Sequence, residues 1–252
     1  AEAIPPATAA VWIEPPSNPL QNVVDIRALV AAVQSASQRL GKKILTIADN
    51  TFMSPVLQRP LELGVDVVMH SATKYLGGHN DLLAGAVLGS SGLIDGVRHL
   101  QGIMGGVVDP FAAFLLVRGL KTFALRVERQ NANAQALAEF LAAHPRVSAV
   151  HYAGLASHPE HDVARKQMRG FGGVVSFEVA GDLEAASRVV DACRIPYIAA
   201  SLGGVESLIE QPAVMSFYEL TTEERLGIGI KDNLVRYAVG IEDADDLIAD
   251  LA

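Results

Sequence analysis

The sequence contains little that would tie it to a membrane, a nucleic acid or an oxidising compartment. Its 252 residues include a single cysteine, Cys193, so an intrachain disulfide is excluded and a reducing compartment, the cytoplasm, is expected. Only 19% of the residues are charged and the net charge is −8, which argues against nucleic acid as the main partner. The longest apolar run, near residues 111–117, is far too short to span a bilayer. None of these features argues against a small-molecule ligand.

The histidines do not form a pattern that would hold a metal. Four of them lack a metal-ligand spacing supported by cysteines or acids: His70, His79, His158 and His161. We therefore expect structural histidines and no metal site. Cys193 follows an apolar segment and is expected to be a small buried hydrophobe. Trp12 is expected in the core.

The first half of the chain alternates between strand and helix patterns. Short apolar runs predict strands at residues 8–13, 43–48 and 66–70, with a short helix at 56–63. A longer helix is expected between Asp25, as its N-cap, and Gly41. This alternation predicts an α/β fold with a parallel sheet, whose ligands lie beyond the carboxyl ends of the strands.

The second half has shorter units after one long helix. That helix is predicted at residues 111–143, with an interruption at Gly119. Strands are then expected at 147–152, 173–179 and 234–239, and helices at 162–168 and 183–192. We place a domain boundary within the long helix, which divides the chain into residues 1–134 and 135–252.

An acid and a lysine stand at the predicted strand ends. Asp49 ends one apolar strand, and Lys74 follows the next strand among the hydroxyls of Ser71 and Thr73. Such a lysine can form a Schiff base with pyridoxal phosphate, and the carboxylate can keep the pyridine nitrogen protonated. Hydroxyl groups beside the lysine can donate to the phosphate. The alternatives are a solvated lysine, a capping aspartate and ordinary turn residues.

Two segments carry a family resemblance. ADNTFMSP at residues 48–55 and SATKYLGGHND at 71–81 resemble the cysteine/methionine-metabolism family of pyridoxal-phosphate enzymes. The resemblance runs from about Val11 to Leu251. Segments 104–110, 170–177, 195–197 and 229–236 are most similar to the plant-type cystathionine gamma-synthases within that family.

The resemblance implies a fold and a set of site residues. The fold would be an aspartate-aminotransferase-like large domain with a mainly parallel, truncated sheet, followed by a smaller α+β domain. Lys74 would be the catalytic residue, and the cofactor-binding set would add Asn18, Asp49, Thr51, Ser71 and Thr73. Asn18, Ser201 and Arg236 would bind the substrate, with Arg236 as a fork for the α-carboxylate. From the residues alone, Asn18 and Ser201 could simply shape turns, and Arg236 could form a structural ion pair.

The implied reaction is a gamma-replacement on an activated homoserine ester, with cysteine as the incoming thiol and cystathionine as the product. A cystathionine or methionine gamma-lyase is the alternative. Ala200 favours a synthase of the plant type, which also lacks a glutamate there, whereas many gamma-lyases and bacterial synthases of the family carry one.

The resemblance also implies that roughly the first third of the usual chain is absent. A non-catalytic fragment that needs a partner chain is therefore a further alternative. The family is built from homo-oligomers, dimers of dimers, whose subunits share active sites. We expect such an assembly here, with amino acids as the small-molecule substrates.

Overall fold

The computed structural model describes residues 2–252, which form two β-sheets flanked by helices. The strands and helices follow in chain order: β1 Ala10–Ile13, α1 Ile26–Leu40, β2 Leu45–Asp49, α2 Ser54–Leu57, β3 Val67–Ser71, β4 Gly85–Gly89, α3 Ser91–Met104, α4 Pro110–Leu120, α5 Phe123–Ala143, β5 Val147–His151, α6 His161–Gln167, β6 Val174–Val179, α7 Leu183–Ala192, β7 Tyr197–Ile198, β8 Leu208–Glu210, α8 Thr222–Gly227, β9 Leu234–Ala238 and α9 Ala244–Leu251. A 3-10 helix, Pro60–Leu63, lies between α2 and β3.

The first sheet has the strand order β1-β2-β3-β4. The pairs β1–β2 and β2–β3 are parallel, and β4 joins the edge antiparallel to β3. The parallel sheet expected from the sequence is therefore confirmed for the first three strands. Because parallel strands end on the same side, the carboxyl ends of β1, β2 and β3 come together there.

Helix α1 covers one face of this sheet, and residues next to its two ends determine where it begins and stops. Asp25 caps its first turn by accepting from the backbone N–H of Ala28, and Gly41 ends it in the left-handed region at φ 63°. Ile26 and Val30 are buried at helical spacing and pack with Val68 of β3. This burial fastens α1 to the sheet.

The second sheet has the order β5-β6-β9-β8-β7 and is mainly antiparallel. Strands β6 and β9 are buried along their whole length, so they form the centre of the sheet. A large core cluster packs here, with Leu137 of α5, Phe177 of β6 and Tyr237 of β9 fully buried. The strands of the first sheet precede α5 in the sequence, and those of the second sheet follow it. The domain boundary near residue 135 stays a prediction.

Several elements differ from the sequence-based expectation. The single helix predicted at residues 56–63 is two short pieces, because Pro60 cannot donate a backbone hydrogen bond and disfavours helical backbone at Arg59. The long helix is divided as expected near Gly119, into α4 and α5. The expectation that Trp12 lies in the core is wrong: it is 57% exposed, because it alternates along β1 with Val11 and Ile13, which pack toward α1.

Cys193 is half-buried and packs against the core cluster of the second sheet, as expected of a small hydrophobe. Within residues 2–252, no helix combines the length and the apolar character needed to cross a membrane.

Candidate active site

The ends of β2 and β3 are joined through Asp49, Thr51 and Ser71. Asp49 Oδ1 accepts hydrogen bonds from the backbone N–H of Thr51 at 2.9 Å and from its Oγ1 at 2.6 Å. Thr51 Oγ1 in turn accepts from the backbone N–H of Ser71 at 2.8 Å. Three of the predicted site residues are therefore brought together at the carboxyl edge of the sheet.

The surroundings of Asp49 are acidic. Glu14 follows β1 at the same edge, and partial burial together with the nearby Asp49 carboxylate raises the pKa of Glu14. Burial lowers the pKa of His70 even though Asp49 opposes that change, so a neutral imidazole is favoured there. Glu14 was not among the predicted site residues, because in the sequence it only opens a proline-rich loop. Two carboxylates at one strand edge suit a cationic ring nitrogen.

Lys74 lies in a tight turn directly after β3. Its backbone N–H donates to Ser71 O at 3.2 Å, and its carbonyl accepts from Gly78 N at 2.7 Å. Thr73 fixes the same turn, since its Oγ1 donates to Ala84 O at 3.3 Å and accepts from Ala84 N at 3.1 Å. The turn points the lysine amine toward Ser201, where Nζ donates to Oγ at 2.6 Å.

The Lys74 amine is tuned toward its neutral form. Burial lowers its pKa from 10.5, and the positive charge of Arg236 lowers it further. A neutral amine is the form that attacks an aldehyde and that accepts a proton.

The loop that carries Ser201 approaches the lysine turn closely. Ser201 itself has a φ of 95°. Two residues later, Gly203 has a φ of 85°, and a Cβ there would stand 2.6 Å from the backbone nitrogen of Tyr75. Only glycine combines this conformation with this approach. The loop can therefore contact Lys74, although Ser201 lies 127 residues further along the chain.

Arg236 lies behind Ser201 on the central strand β9. Its Nη1 donates to Asn18 Oδ1 at 3.0 Å, and its Nη2 donates to the Ser201 carbonyl at 2.8 Å. Nη2 also lies 2.8 Å from Oε1 of Glu210, and both side chains are almost fully buried. The structural ion pair considered from the sequence is thus present, and it coexists with contacts to two predicted substrate-binding residues.

An open cleft of about 780 Å³ begins at the lysine. Thr73, Lys74 and Ser201 line it, together with Ala200 beside Ser201. The opposite wall comes from other elements and is largely apolar; it includes Phe111 and Leu115 of α4, Tyr197 of β7, and Leu82 and Leu83. The cleft has room for an amino acid beside the lysine.

Arg126 is a site residue that sequence reasoning missed. Its buried guanidinium donates to the carbonyls of Tyr75 at 3.0 Å and Gly119 at 2.9 Å, and its Nε donates to Thr122 Oγ1 at 3.0 Å. It therefore fastens the chain after Lys74 to the junction of α4 and α5. Little in the sequence indicates this role, because Arg126 lies within a predicted helix and outside any recognisable motif.

The donor set fits pyridoxal phosphate. It offers an amine of lowered pKa, carboxylates at the strand edge for a ring nitrogen, and hydroxyls on the lysine turn for a phosphate. A metal is not suggested: residues 2–252 contain no group of three or more His, Cys, Asp or Glu side chains that could hold one.

Comparison with known proteins gives a consistent result. The model of the family described as Cys/Met metabolism PLP-dependent enzyme matches residues 1–252. The chloroplastic cystathionine gamma-synthase 1 of Arabidopsis thaliana is 52% identical over 95% of this chain. The L-methionine gamma-lyase of Pseudomonas putida is 48% identical over 99%.

A solved structure shows the same fold. The crystal structure of CalE6 from Micromonospora echinospora, described as a cystathione gamma lyase, superposes with a TM-score of 0.91 at 44% identity and covers 96% of this chain. The chain spans 42% of the Arabidopsis protein and 62% of both the Pseudomonas protein and CalE6. The predicted fold class is confirmed by this likeness.

Proposed function

This chain belongs to the Cys/Met-metabolism family of pyridoxal-phosphate-dependent enzymes, and on that premise we propose that it carries out a gamma-replacement. The substrate is an activated homoserine ester, the incoming thiol is cysteine, and the product is cystathionine. The bound cofactor supplies an aldehyde that a lysine amine can hold and a ring that accepts electrons.

Lys74 holds the cofactor and moves protons. Its amine, whose pKa is lowered by burial and by Arg236, takes the proton from the substrate α-carbon and exchanges protons at the β-carbon. Ser201 Oγ accepts a hydrogen bond from the amine at 2.6 Å and so holds it at the mouth of the cleft. This contact is the observation that supports the proposal, because an amine of lowered pKa at the cleft mouth is within reach of an amino acid that enters.

The other residues orient the cofactor and the substrate. Asp49 keeps a proton on the ring nitrogen, and Thr51, Ser71 and Thr73 provide hydroxyls for the cofactor. Asn18 and Arg236 receive the α-carboxylate of the amino acid together with Ser201. The hydrogen bonds that already join Asn18 and Ser201 to Arg236 support a common role.

A gamma-lyase is the second candidate, favoured by the 48% identity with the Pseudomonas putida methionine gamma-lyase. The two reactions start with the same deprotonation and differ in the fate of the γ-carbon. Ala200 in the cleft supports the synthase over a gamma-lyase that would rely on a glutamate at that position.

Product analysis separates the two candidates. The chain, loaded with pyridoxal phosphate, is incubated with an O-acylhomoserine with and without cysteine, and the products are identified by mass spectrometry. A synthase forms cystathionine when cysteine is present. Release of a keto acid as the main product, from the ester or from methionine, would favour the lyase. Lys74→Ala is the control that should form neither product.

We also propose a homo-oligomer with shared active sites and a cytoplasmic location. Exposed apolar side chains on α3 and α4, among them Met104, Phe111 and Phe114, support an assembly that covers them. Phe111 also lines the cleft, so a covering subunit would lie beside the site.

A further inference from the structure

Glu210 is a buried carboxylate that faces Arg236 from the neighbouring strand. The two residues are directly opposite each other in the antiparallel pair of β8 and β9. Oε1 of Glu210 lies 2.8 Å from Nη2 of Arg236, and the side chains are 1% and 4% exposed. The other carboxylate oxygen accepts a hydrogen bond from Ser216 Oγ at 2.7 Å. Glu210 is therefore held in one place and is screened little by water.

The Glu210 carboxylate balances the positive charge of Arg236 but does not use all the N–H donors of the guanidinium. Among residues 2–252, Oε1 has no aligned hydrogen-bond donor, so its attraction to Nη2 is mainly Coulombic. The guanidinium donates to Asn18 and to the Ser201 carbonyl, and its Nε has no hydrogen-bond partner in the same part of the chain. Donors thus remain, while the positive charge is already balanced.

We infer that Glu210 sets the affinity of Arg236 for the substrate carboxylate. It acts as a positioning residue through Arg236, and the inference rests on the proposed function in that Arg236 receives the carboxylate. An incoming carboxylate is attracted by Arg236 and repelled by Glu210 at nearly the same place. This weakens binding of the carboxylate in the ground state and in the transition state alike, so it raises KM and leaves kcat little changed.

The test measures binding of propionate, a carboxylate without an amine, to the full chain by calorimetry at constant ionic strength. Glu210→Gln removes the charge and keeps the length of the side chain and a hydrogen bond with Ser216. We expect the propionate Kd to fall about tenfold. With amino-acid substrate, KM is expected to fall by a similar factor while kcat changes less.

Glu178→Gln is the matched control, since Glu178 is another buried acid, paired with Lys231 at 2.7 Å. Its propionate Kd is expected to equal that of the wild-type chain. The double variant Arg236→Met with Glu210→Gln removes the site without leaving an unpaired buried charge and should abolish binding.

An unchanged or weaker propionate affinity in a folded Glu210→Gln chain would overturn the inference, and so would the absence of propionate binding in every variant. If Glu210→Gln does not fold, Glu210→Asp keeps the charge but withdraws it from Nη2, and a smaller tightening is then expected. Propionate binding does not depend on which reaction the site catalyses. The result is therefore distinguishable from a failure of the product test.

Discussion

At the scale of single residues, the proposed chemistry depends on the protonation state of the Lys74 amine. Lys74 is half-buried, donates to Ser201 and lies in the field of the Arg236 guanidinium. Both burial and that charge disfavour the ammonium form. Ser201 and Arg236, which we propose to bind the substrate, therefore also surround the amine that we propose as the base.

The lowered pKa of Lys74 predicts a measurable reactivity. Competitive labelling of lysines by a small acylating reagent, read by mass spectrometry across pH, should give Lys74 a midpoint below 10.5. The neutral amine is the reactive form, so a lower pKa moves labelling to lower pH. The exposed Lys121 in the same digest serves as the internal reference. A Lys74 midpoint at or above 10.5 would contradict the assignment.

At the scale of elements, the position of Lys74 depends on how its turn packs against the junction of α4 and α5. Gly119 lies in the last turn of α4 beside the lysine turn, and a Cβ there would overlap the carbonyl oxygen of Gly77. Arg126 crosses the same junction with hydrogen bonds to Tyr75 and Gly119. The turn that carries Lys74 and the cleft wall thus form one packed unit.

Gly119→Ala is expected to destabilise the protein by about 1–3 kcal/mol, because the backbone of two elements must separate to admit a methyl group. Urea unfolding followed by circular dichroism measures this change. Gly102→Ala in helix α3 is the matched control, since nothing lies within 4 Å of the added Cβ. It should stabilise the helix slightly, by up to about 1 kcal/mol. Equal effects of the two substitutions would refute the packing argument.

The second sheet contains a buried carboxylate that links stability to pH. Burial alone would raise the pKa of Glu178, but hydrogen bonds and charges from Lys231 and His151 hold it below 4.5. A depressed folded-state pKa stabilises the native state above the unfolded pKa of about 4.3. That stability is lost as pH falls through the folded-state value.

Glu178→Gln should therefore lower the unfolding free energy near pH 7 and flatten its decline below about pH 4.3. Thermal unfolding from pH 3 to 7 gives both quantities. The control is Glu184→Gln, because Glu184 pairs with Arg188 on the surface, where ion pairs contribute little. An acid-unfolding profile of Glu178→Gln with the wild-type slope would speak against this account.

At the scale of the whole molecule, the features that could be predicted are those set by residues adjacent in the sequence. The cap at Asp25, the stop at Gly41 and the placement of Asp49 and Lys74 after parallel strands follow from local patterns. The antiparallel strand β4 and the ion pair of Glu210 with Arg236 depend on residues distant in sequence, which local patterns do not bring together.

The exposed position of Trp12 illustrates the same limit. Hydrophobic character predicts a core position, but burial also needs an element packed on the same face of the sheet, and Trp12 lies on the face of β1 opposite to α1. Apolar content predicts how much surface a chain can bury, whereas topology decides which residues are covered.

The apolar surface of α4 predicts self-association. Phe111 and Phe114 are 68% and 62% exposed, and their rings lie 6.4 Å apart on one side of the helix. Light scattering after size exclusion should give a mass that is a multiple of 26.6 kDa. Phe114→Asp should shift the protein toward the monomer, whereas Tyr218→Asp, at a similarly exposed aromatic, should not. A monomeric wild-type chain at micromolar concentration would contradict the proposed assembly.

The most direct test of the central claim is to locate the cofactor on the chain. The purified protein is mixed with pyridoxal phosphate, reduced with borohydride, digested and mapped by mass spectrometry, with Lys74→Arg treated in parallel. The account predicts a stable adduct on the peptide that contains Lys74 and no adduct at that position in the variant. An adduct confined to other lysines, or none in a folded wild-type chain, would contradict the assignment of Lys74 as the residue that holds the cofactor.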